Sequence, residues 1–269
     1  MREEVVVLRG AKTGPTSIVL GGVHGDETCG VNALTTLLPT LSIERGTVYV
    51  AYGNPRAIAL NKRFTETNLN RMFKNDVSNA DKTSYEYDRA KFLKTYLNKA
   101  GALLDVHASF TPESTRFAIC EPNARGIVEY LPVDLVVSGF DAIEPGGTDY
   151  YMNKIGKIGI CVECGYLGDP DSNRIATESI VQFLIARGHI NGVPMRRSQS
   201  SVRIHSLYLS KTDFTLVKSF KDFEKIAKDE LIGFDGTKEI RAPEDSVILF
   251  ARNVSANDEA FLLGTWNSF

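Results

Sequence analysis

The chain has 269 residues, of which 43% are hydrophobic and 24% charged, and its formal net charge is −2. This is the profile of a soluble folded protein with a sizeable core, not of a disordered, collagen-like or membrane-embedded chain. The near-neutral charge gives no support for nonspecific binding to nucleic acid or to an anionic membrane, and no apolar run approaches the roughly 20 residues a spanning helix needs.

The start, Met1-Arg2-Glu3-Glu4, does not read as a secretory signal, and four cysteines do not make a disulfide framework. A cytoplasmic protein is expected. In chain order, Val5-Val6-Val7-Leu8 and Ser17-Ile18-Val19-Leu20 are short runs rich in β-branched residues and predict strands. Val31, Leu34, Leu37 and Leu38 recur at helical spacing and predict a helix over 26–38, closed by Pro39. Thr47-Val48-Tyr49-Val50-Ala51 predicts a strand. Ala90, Leu93, Tyr96 and Leu97 share one face of a helix predicted over 84–99, with Gly101 as its stop. Ala102-Leu103-Leu104-Asp105-Val106 and Ile158-Gly159-Ile160-Cys161-Val162 predict two more strands. The last helix of this part is expected over 172–187, before Gly188. Continuous apolar strands suit a sheet covered on both faces, and the alternation with helices predicts an α/β domain.

The composition changes near residue 190. The segment 188–201 is rich in Gly, Pro, Arg and Ser and reads as a linker. Short strands are expected after it, at 202–209, 214–218, 246–251 and 260–263, with one helix over 220–227. The expected organisation is a domain over 1–194 and a small β-rich domain over 195–269.

Four segments carry the chemistry. In Gly21-Gly22-Val23-His24-Gly25-Asp26-Glu27 a buried strand runs through glycines into a helix start. An imidazole and a carboxylate three residues apart at such a turn can face one metal ion, or His24 can cap the helix while Glu27 stays solvated. Leu104-Asp105-Val106-His107 puts a second histidine at a strand end, with Asp105 on the same strand face, able to orient the imidazole or to meet a substrate. Together His24, Glu27 and His107 make the ligand set of a catalytic zinc with an open position. Arg63-Phe64-Thr65-Glu66-Thr67-Asn68-Leu69-Asn70-Arg71 is loop-like and offers guanidinium forks suited to carboxylates and oxyanions. In Cys161-Val162-Glu163-Cys164, Glu163 sits at the end of an apolar strand, where burial would raise its pKa toward that of a general base. A redox pair of Cys161 and Cys164 is disfavoured, because residues three apart on a strand face opposite sides. Cys29 and Cys120 read as small buried hydrophobes.

These blocks, with Gly53-Asn54-Pro55 between them, resemble in order and content the succinylglutamate desuccinylase/aspartoacylase family, which belongs to the zinc carboxypeptidase-like enzymes. They span residues 20–165, and Arg241-Ala242-Pro243 with Val247-Ile248-Leu249 resembles the family's C-terminal domain. The resemblance implies a mixed-sheet α/β domain with helices on both faces, and one zinc ion per chain held by His24, Glu27 and His107. It implies that Glu163 is the general base, taking a proton from the attacking water and passing it to the leaving amine. Arg63 would stabilise the oxyanion, and Asn70 and Arg71 would hold a substrate carboxylate. The implied reaction is hydrolysis of a small N-acyl amino acid, with neither nucleic acid nor membrane as partner; a homo-oligomer stays open. The family usually has Asp-Leu-Asn-Arg where this chain has Asn68-Leu69-Asn70-Arg71. The stretch before Glu163, with Tyr150, Tyr151 and Lys154, offers no further arginine for a carboxylate. Two other readings share the residues: a zinc carboxypeptidase acting on peptides, and a non-catalytic metal-binding protein of the same fold.

Overall fold

A computed structural model describes residues 3–267. The strands of the N-terminal part are β1 (Val6–Arg9), β2 (Lys12–Gly21), β3 (Arg45–Tyr52), β4 (Ala102–Ser109), β5 (Phe117–Cys120), β6 (Leu135–Ser138) and β7 (Ile158–Tyr166). Its helices are α1 (Thr28–Leu37), α2 (Pro55–Leu60), α3 (Tyr85–Leu97), α4 (Arg125–Val128), α5 (Phe140–Ile143), α6 (Thr148–Lys154) and α7 (Ser172–Ala186). The C-terminal part contributes β8 (Ser200–Leu209), β9 (Phe214–Leu216), β10 (Glu224–Ile226), β11 (Leu231–Asp235), β12 (Lys238–Arg241), β13 (Ser246–Leu249) and β14 (Glu259–Asn267).

One mixed sheet runs in the order β1-β3-β2-β4-β7-β5-β6-β8-β14-β13-β10, and a smaller sheet in the order β12-β11-β9. β3, β2, β4 and β7 are mutually parallel neighbours, and β5 is antiparallel to β7. The first half of β8 lies parallel to β6, so the sheet passes without a break from the N-terminal part into the C-terminal part.

The central strands are apolar because both faces are covered. One face, with Leu104, Val106, Ile160, Val162 and Cys164, packs on Cys29, Ala33 and Leu34 of α1 and on Ile175, Ile180 and Phe183 of α7. On the other, Ile18, Leu20 and Leu103 pack on Ala90, Leu93 and Leu97 of α3. On that second face β4 and β7 carry Asp105, His107, Cys161 and Glu163, and the register sets Asp105 beside Cys161 and His107 beside Glu163. A line of buried polar side chains on otherwise apolar strands is costly unless those groups have partners or a task.

The helix expected over 220–227 does not form. Residues 222–223 make a turn, and Glu224–Ile226 is strand β10, paired with β13. The reason is long-range: the Asp222 carboxylate accepts from the hydroxyls of Ser109, Thr111 and Ser114 and from the backbone N–H of Phe250. Phe223 is then left at φ +66°, outside any right-handed helix. No described helix is long and apolar enough to cross a membrane.

Candidate metal centre and active site

Ligands gather at the C-terminal ends of parallel strands in open α/β sheets, and the polar side chains converge there. β2 ends at Gly21, and Gly22, at φ +73°, turns the chain toward α1. A Cβ at Gly25 would sit 2.1 Å from the carbonyl carbon of Ala57, so only glycine lets the His24 loop pass the neighbouring backbone so closely. Glu27 is the N-cap residue of α1, but its side chain makes no capping bond. It turns instead toward both imidazoles: Glu27 Oε1 lies 2.8 Å from His24 Nδ1, and Oε2 lies 2.7 Å from His107 Nδ1. His24, Glu27 and His107 are 5%, 3% and 1% exposed, which removes the reading of Glu27 as a solvated first-turn acid.

The outer nitrogen of His24 fixes its tautomer. His24 Nε2 lies 3.1 Å from Asn68 Oδ1, an atom that also accepts from the Asn70 N–H and can only accept. His24 therefore carries its proton on Nε2, and its Nδ1 lone pair points at a carboxylate oxygen. His107 Nε2 lies 3.2 Å from Asp105 Oδ2, and Thr148 Oγ1 donates to that same oxygen. Lone pairs set against lone pairs at these distances call for a cation between them. The ligand atoms of His24, Glu27 and His107 all lie within 4.8 Å of one another. Two nitrogens and one carboxylate oxygen, buried and with outer partners, fit a divalent ion such as zinc.

The electrostatics agree. Burial pulls the His24 pKa down to about 4, so the ring is neutral at pH 7, as a metal ligand must be. Burial alone would raise Glu27, but the two imidazoles outweigh it and hold the carboxylate well below its ordinary range. Burial would lower His107, yet Cys161, Asp105 and Glu27 around it push its pKa well up, which marks the ring's surroundings as a place that favours positive charge. Glu163 is buried beside this cluster, and its Oε2 has no hydrogen-bond partner among the described residues. Burial first, then the Glu27 charge, raises its pKa to about 8. A carboxyl tuned in this way is a candidate proton carrier.

Residues 13–186 match the family described as the succinylglutamate desuccinylase/aspartoacylase catalytic domain. The chain belongs to this family. It is 28% identical over 167 residues to a probable aspartoacylase of Trichodesmium erythraeum, a match that covers 55% of this chain and 54% of that one. A succinylglutamate desuccinylase of Shewanella sp. (strain MR-7) is 25% identical over 273 residues, covering 90% of this chain and 79% of the other. Among solved structures, the succinylglutamate desuccinylase of Vibrio cholerae superimposes with a TM-score of 0.82 at 19% identity, over 97% of this chain and 85% of that one, and shares the fold.

In a desuccinylase/aspartoacylase frame, the chain's departure at Asn68 acquires a place: it is the outer partner of His24. The loop that carries it is shaped from α3, where buried Glu86 accepts from the backbone N–H groups of Thr65, Glu66 and Thr67 and from the Asn54 amide. Arg63 comes off the same loop and donates from Nη1 to Glu27 Oε1 at 2.9 Å. Cys161 Sγ lies within 4.8 Å of ligand atoms of His107 and Glu163, while Cys164 packs on the opposite sheet face. All four cysteines are free.

The cluster opens into a concave cleft walled by both the N-terminal and the C-terminal parts of the chain. The family block supplies Arg63, Asn70 and Arg71 to its wall. Asn70 Oδ1 has no partner among the described residues. Arg71 is engaged at all three nitrogens: Nε and Nη2 donate to the two carboxylate oxygens of Glu259 at 3.0 and 2.8 Å, Nη2 also meets Glu144, and Nη1 donates to the Asn70 carbonyl. One Nη1 N–H is left over, so a two-pronged grip on a substrate carboxylate would require release of one of these. Sequence reasoning missed the rest of the wall. Asp141 and Asp149 line it, lifted by burial to about 6 and about 7. Leu207, Phe250, Arg252, Glu259 and Phe261 come from the C-terminal part. No local motif marks them, since each matters only through its long-range pairing.

Proposed function

We propose that the chain hydrolyses the amide bond of a small N-acyl amino acid in the cytoplasm, using one zinc ion held by His24, Glu27 and His107. The observation that carries this reading is the meeting of two buried imidazole nitrogens with a carboxylate, next to the unpartnered, upward-shifted carboxyl of Glu163. Zinc at this position supplies Lewis acidity and draws down nearby pKa values. Glu163 takes the proton of the attacking water and returns it to the leaving nitrogen. Arg63, on the cleft wall, donates to the oxygen on which negative charge develops. Asn68 and Asp105 hold the imidazoles in the tautomer that leaves Nδ1 free. Asn70 offers its unpartnered carbonyl oxygen to a substrate N–H, and Arg71 braces the wall through Glu259 and Glu144. Residues 195–269 form a small β-rich domain that narrows the mouth and biases the site toward small substrates, supported by the C-terminal side chains that line the cleft.

The test is release of primary amine from a panel of N-acetyl and N-succinyl amino acids, with zinc-loaded protein, with and without chelator. Chelator-sensitive release from a few members is expected. Release of C-terminal residues from unblocked peptides instead would move the assignment to a carboxypeptidase. No release by protein holding about one zinc per chain, on either substrate class, would sink the hydrolase reading.

A further inference from the structure

Three guanidinium groups face the cleft, and they differ in what already holds them. Arg71 has an acceptor at each of its three nitrogens, with one Nη1 N–H left over. Arg63 gives Nη1 to Glu27. Arg252 donates only from Nε, to the backbone carbonyl of Glu259 at 3.1 Å. Its nearest carboxylate, exposed Asp258, lies 3.7 Å from Nη2, beyond hydrogen-bond range. Arg63 and Arg252 thus each make a single side-chain hydrogen bond, and Arg252 is the one that keeps both terminal nitrogens, Nη1 and Nη2, free of one among the described residues. It is half-buried, and burial lowers its pKa, with the nearby Asp258 charge opposing and the charge of Arg63 adding to the shift. A partly desolvated cation with unfilled donors, beside a second cation, is short of an anion.

The loop between β13 and β14 that carries Arg252 is held rigidly. Phe250 sits at φ +53°, a conformation that bulky residues adopt at a cost and that clusters at functional positions. The Asp222 carboxylate fixes it by accepting the Phe250 N–H at 2.8 Å, and the Arg252 N–H donates to the Ala260 carbonyl. Both Arg252 and Arg63 lie against the ring of Phe110, with their guanidinium carbons 4.9 and 5.8 Å from its centroid. Phe110 follows His107 by three residues. One ring therefore sets the two least engaged arginines next to the metal cluster. The remaining wall is apolar side chains together with the carboxyl groups of Asp141, Glu144 and Asp149, and it offers no further cation among the described residues.

We propose that Arg252, from the C-terminal part of the chain, is the residue that anchors the substrate's carboxylate, with Arg63 beside it and with Arg71 in a bracing role. This rests on the reading of the cleft as an acyl-amino-acid hydrolase. A carboxylate of either origin satisfies it: that of the released amino acid, or the free end of a dicarboxylic acyl group.

The experiment measures binding in a Glu163→Gln background, where turnover is slowed, by calorimetry on the zinc-loaded full chain. The probes are N-acetyl-L-leucine, N-acetyl-L-leucinamide and N-succinyl-L-leucinamide. A hydrogen-bonded charge pair predicts that at least one carboxylate probe binds about 10–100-fold more tightly than the probe without a carboxylate. Arg252→Met, which keeps the apolar stem against Phe110, should erase that ratio. Arg252→Lys should retain part of it, and carries the test if the methionine variant does not fold. Preference for N-acetyl-L-leucine places the anchor on the amino-acid side, and preference for the succinyl probe on the acyl side. An unchanged ratio in Arg252→Met, or no preference for a carboxylate in the Arg252 protein, overturns the proposal. Amine release by the unsubstituted enzyme is scored separately. Release with an Arg252-independent ratio defeats the anchor and leaves the hydrolase, whereas an Arg252-dependent ratio without release does the reverse.

Discussion

The two halves of the cleft are built by different means. The N-terminal half places its groups on the ends of parallel strands and on the helix start beside them: His24 and Glu27 after β2, His107 at the end of β4, Glu163 near the end of β7. The sheet's hydrogen-bond register fixes their spacing, so this half is stiff wherever the sheet is stiff. The C-terminal half places Phe250 and Arg252 on an irregular loop, and Glu259 at the first residue of β14. Its rigidity comes from side chains: the Asp222 carboxylate with its four donors, and the ion pair of Arg71 with Glu259. A site whose chemistry sits on strands and whose selection sits on a braced loop can change substrate without disturbing the metal cluster. Substitutions in the first half should then act on turnover or metal, and those in the second on substrate affinity.

The sharpest break of that division is at Glu163. Glu163→Gln keeps the size of the side chain and removes its ability to take a proton. Turnover should fall by about 10²–10⁴-fold, the range attributed to a positioned acid or base. Metal content, read by atomic spectroscopy, should be unchanged, because Glu163 is not among the three proposed ligands. Full turnover in this variant would remove Glu163 from the role of base.

The same division decides what was legible in the sequence. His24, Glu27, His107 and Glu163 each stand in a short block at the end of an apolar run, so local pattern was enough to single them out as candidates, and the structure brings them together. Strand parity already separated Cys161 from Cys164, and the two do lie on opposite sheet faces. The pairing of Asn68 with His24 joins positions 44 residues apart, and that of Arg71 with Glu259 joins positions 188 apart. Neither has a local signature. β5 and β6 are four residues each, too short to show a period. The helix expected over 220–227 failed for the same reason that Asp222 was overlooked. Its apolar spacing is local, while the bonds that override it reach Ser109, Thr111 and Ser114 more than a hundred positions away.

Asp222 tests the braced half. Asp222→Ala leaves three hydroxyls and the Phe250 N–H without their acceptor, and releases the left-handed turn at Phe250. The expected loss of stability is about 2–4 kcal/mol, read from urea unfolding. In the folded fraction, KM should rise more than kcat falls, because the loop of Arg252 loosens while the strand-end cluster keeps its register. Equal changes in both constants would mean that the two halves are mechanically one.

The smallest expected effect lies within the metal cluster, where its two histidines have unlike outer partners. His107 faces the buried carboxylate of Asp105, and His24 faces the neutral amide of Asn68. An anionic acceptor on Nε2 makes an imidazole a better donor at Nδ1, because the positive charge the ring gains on binding a cation is compensated nearby. A neutral acceptor orients the ring without that compensation. Asn68→Asp keeps the shape of the side chain and can keep both of its bonds, to His24 Nε2 and to the Asn70 N–H. Zinc affinity, measured by competition with a chromogenic chelator, should therefore rise by about 10-fold, the lower end of what outer partners of metal ligands contribute. Asn68→Ala should lower it by a similar factor, since the ring then loses its orienting bond as well. The substitution to Asp should leave the carboxylate-to-amide binding ratio of the cleft where it was, because Arg252 stands on the other half. An unchanged zinc affinity in both variants would show that strand and helix geometry alone hold His24, and that the amide of Asn68 contributes only to the turn at Asn70.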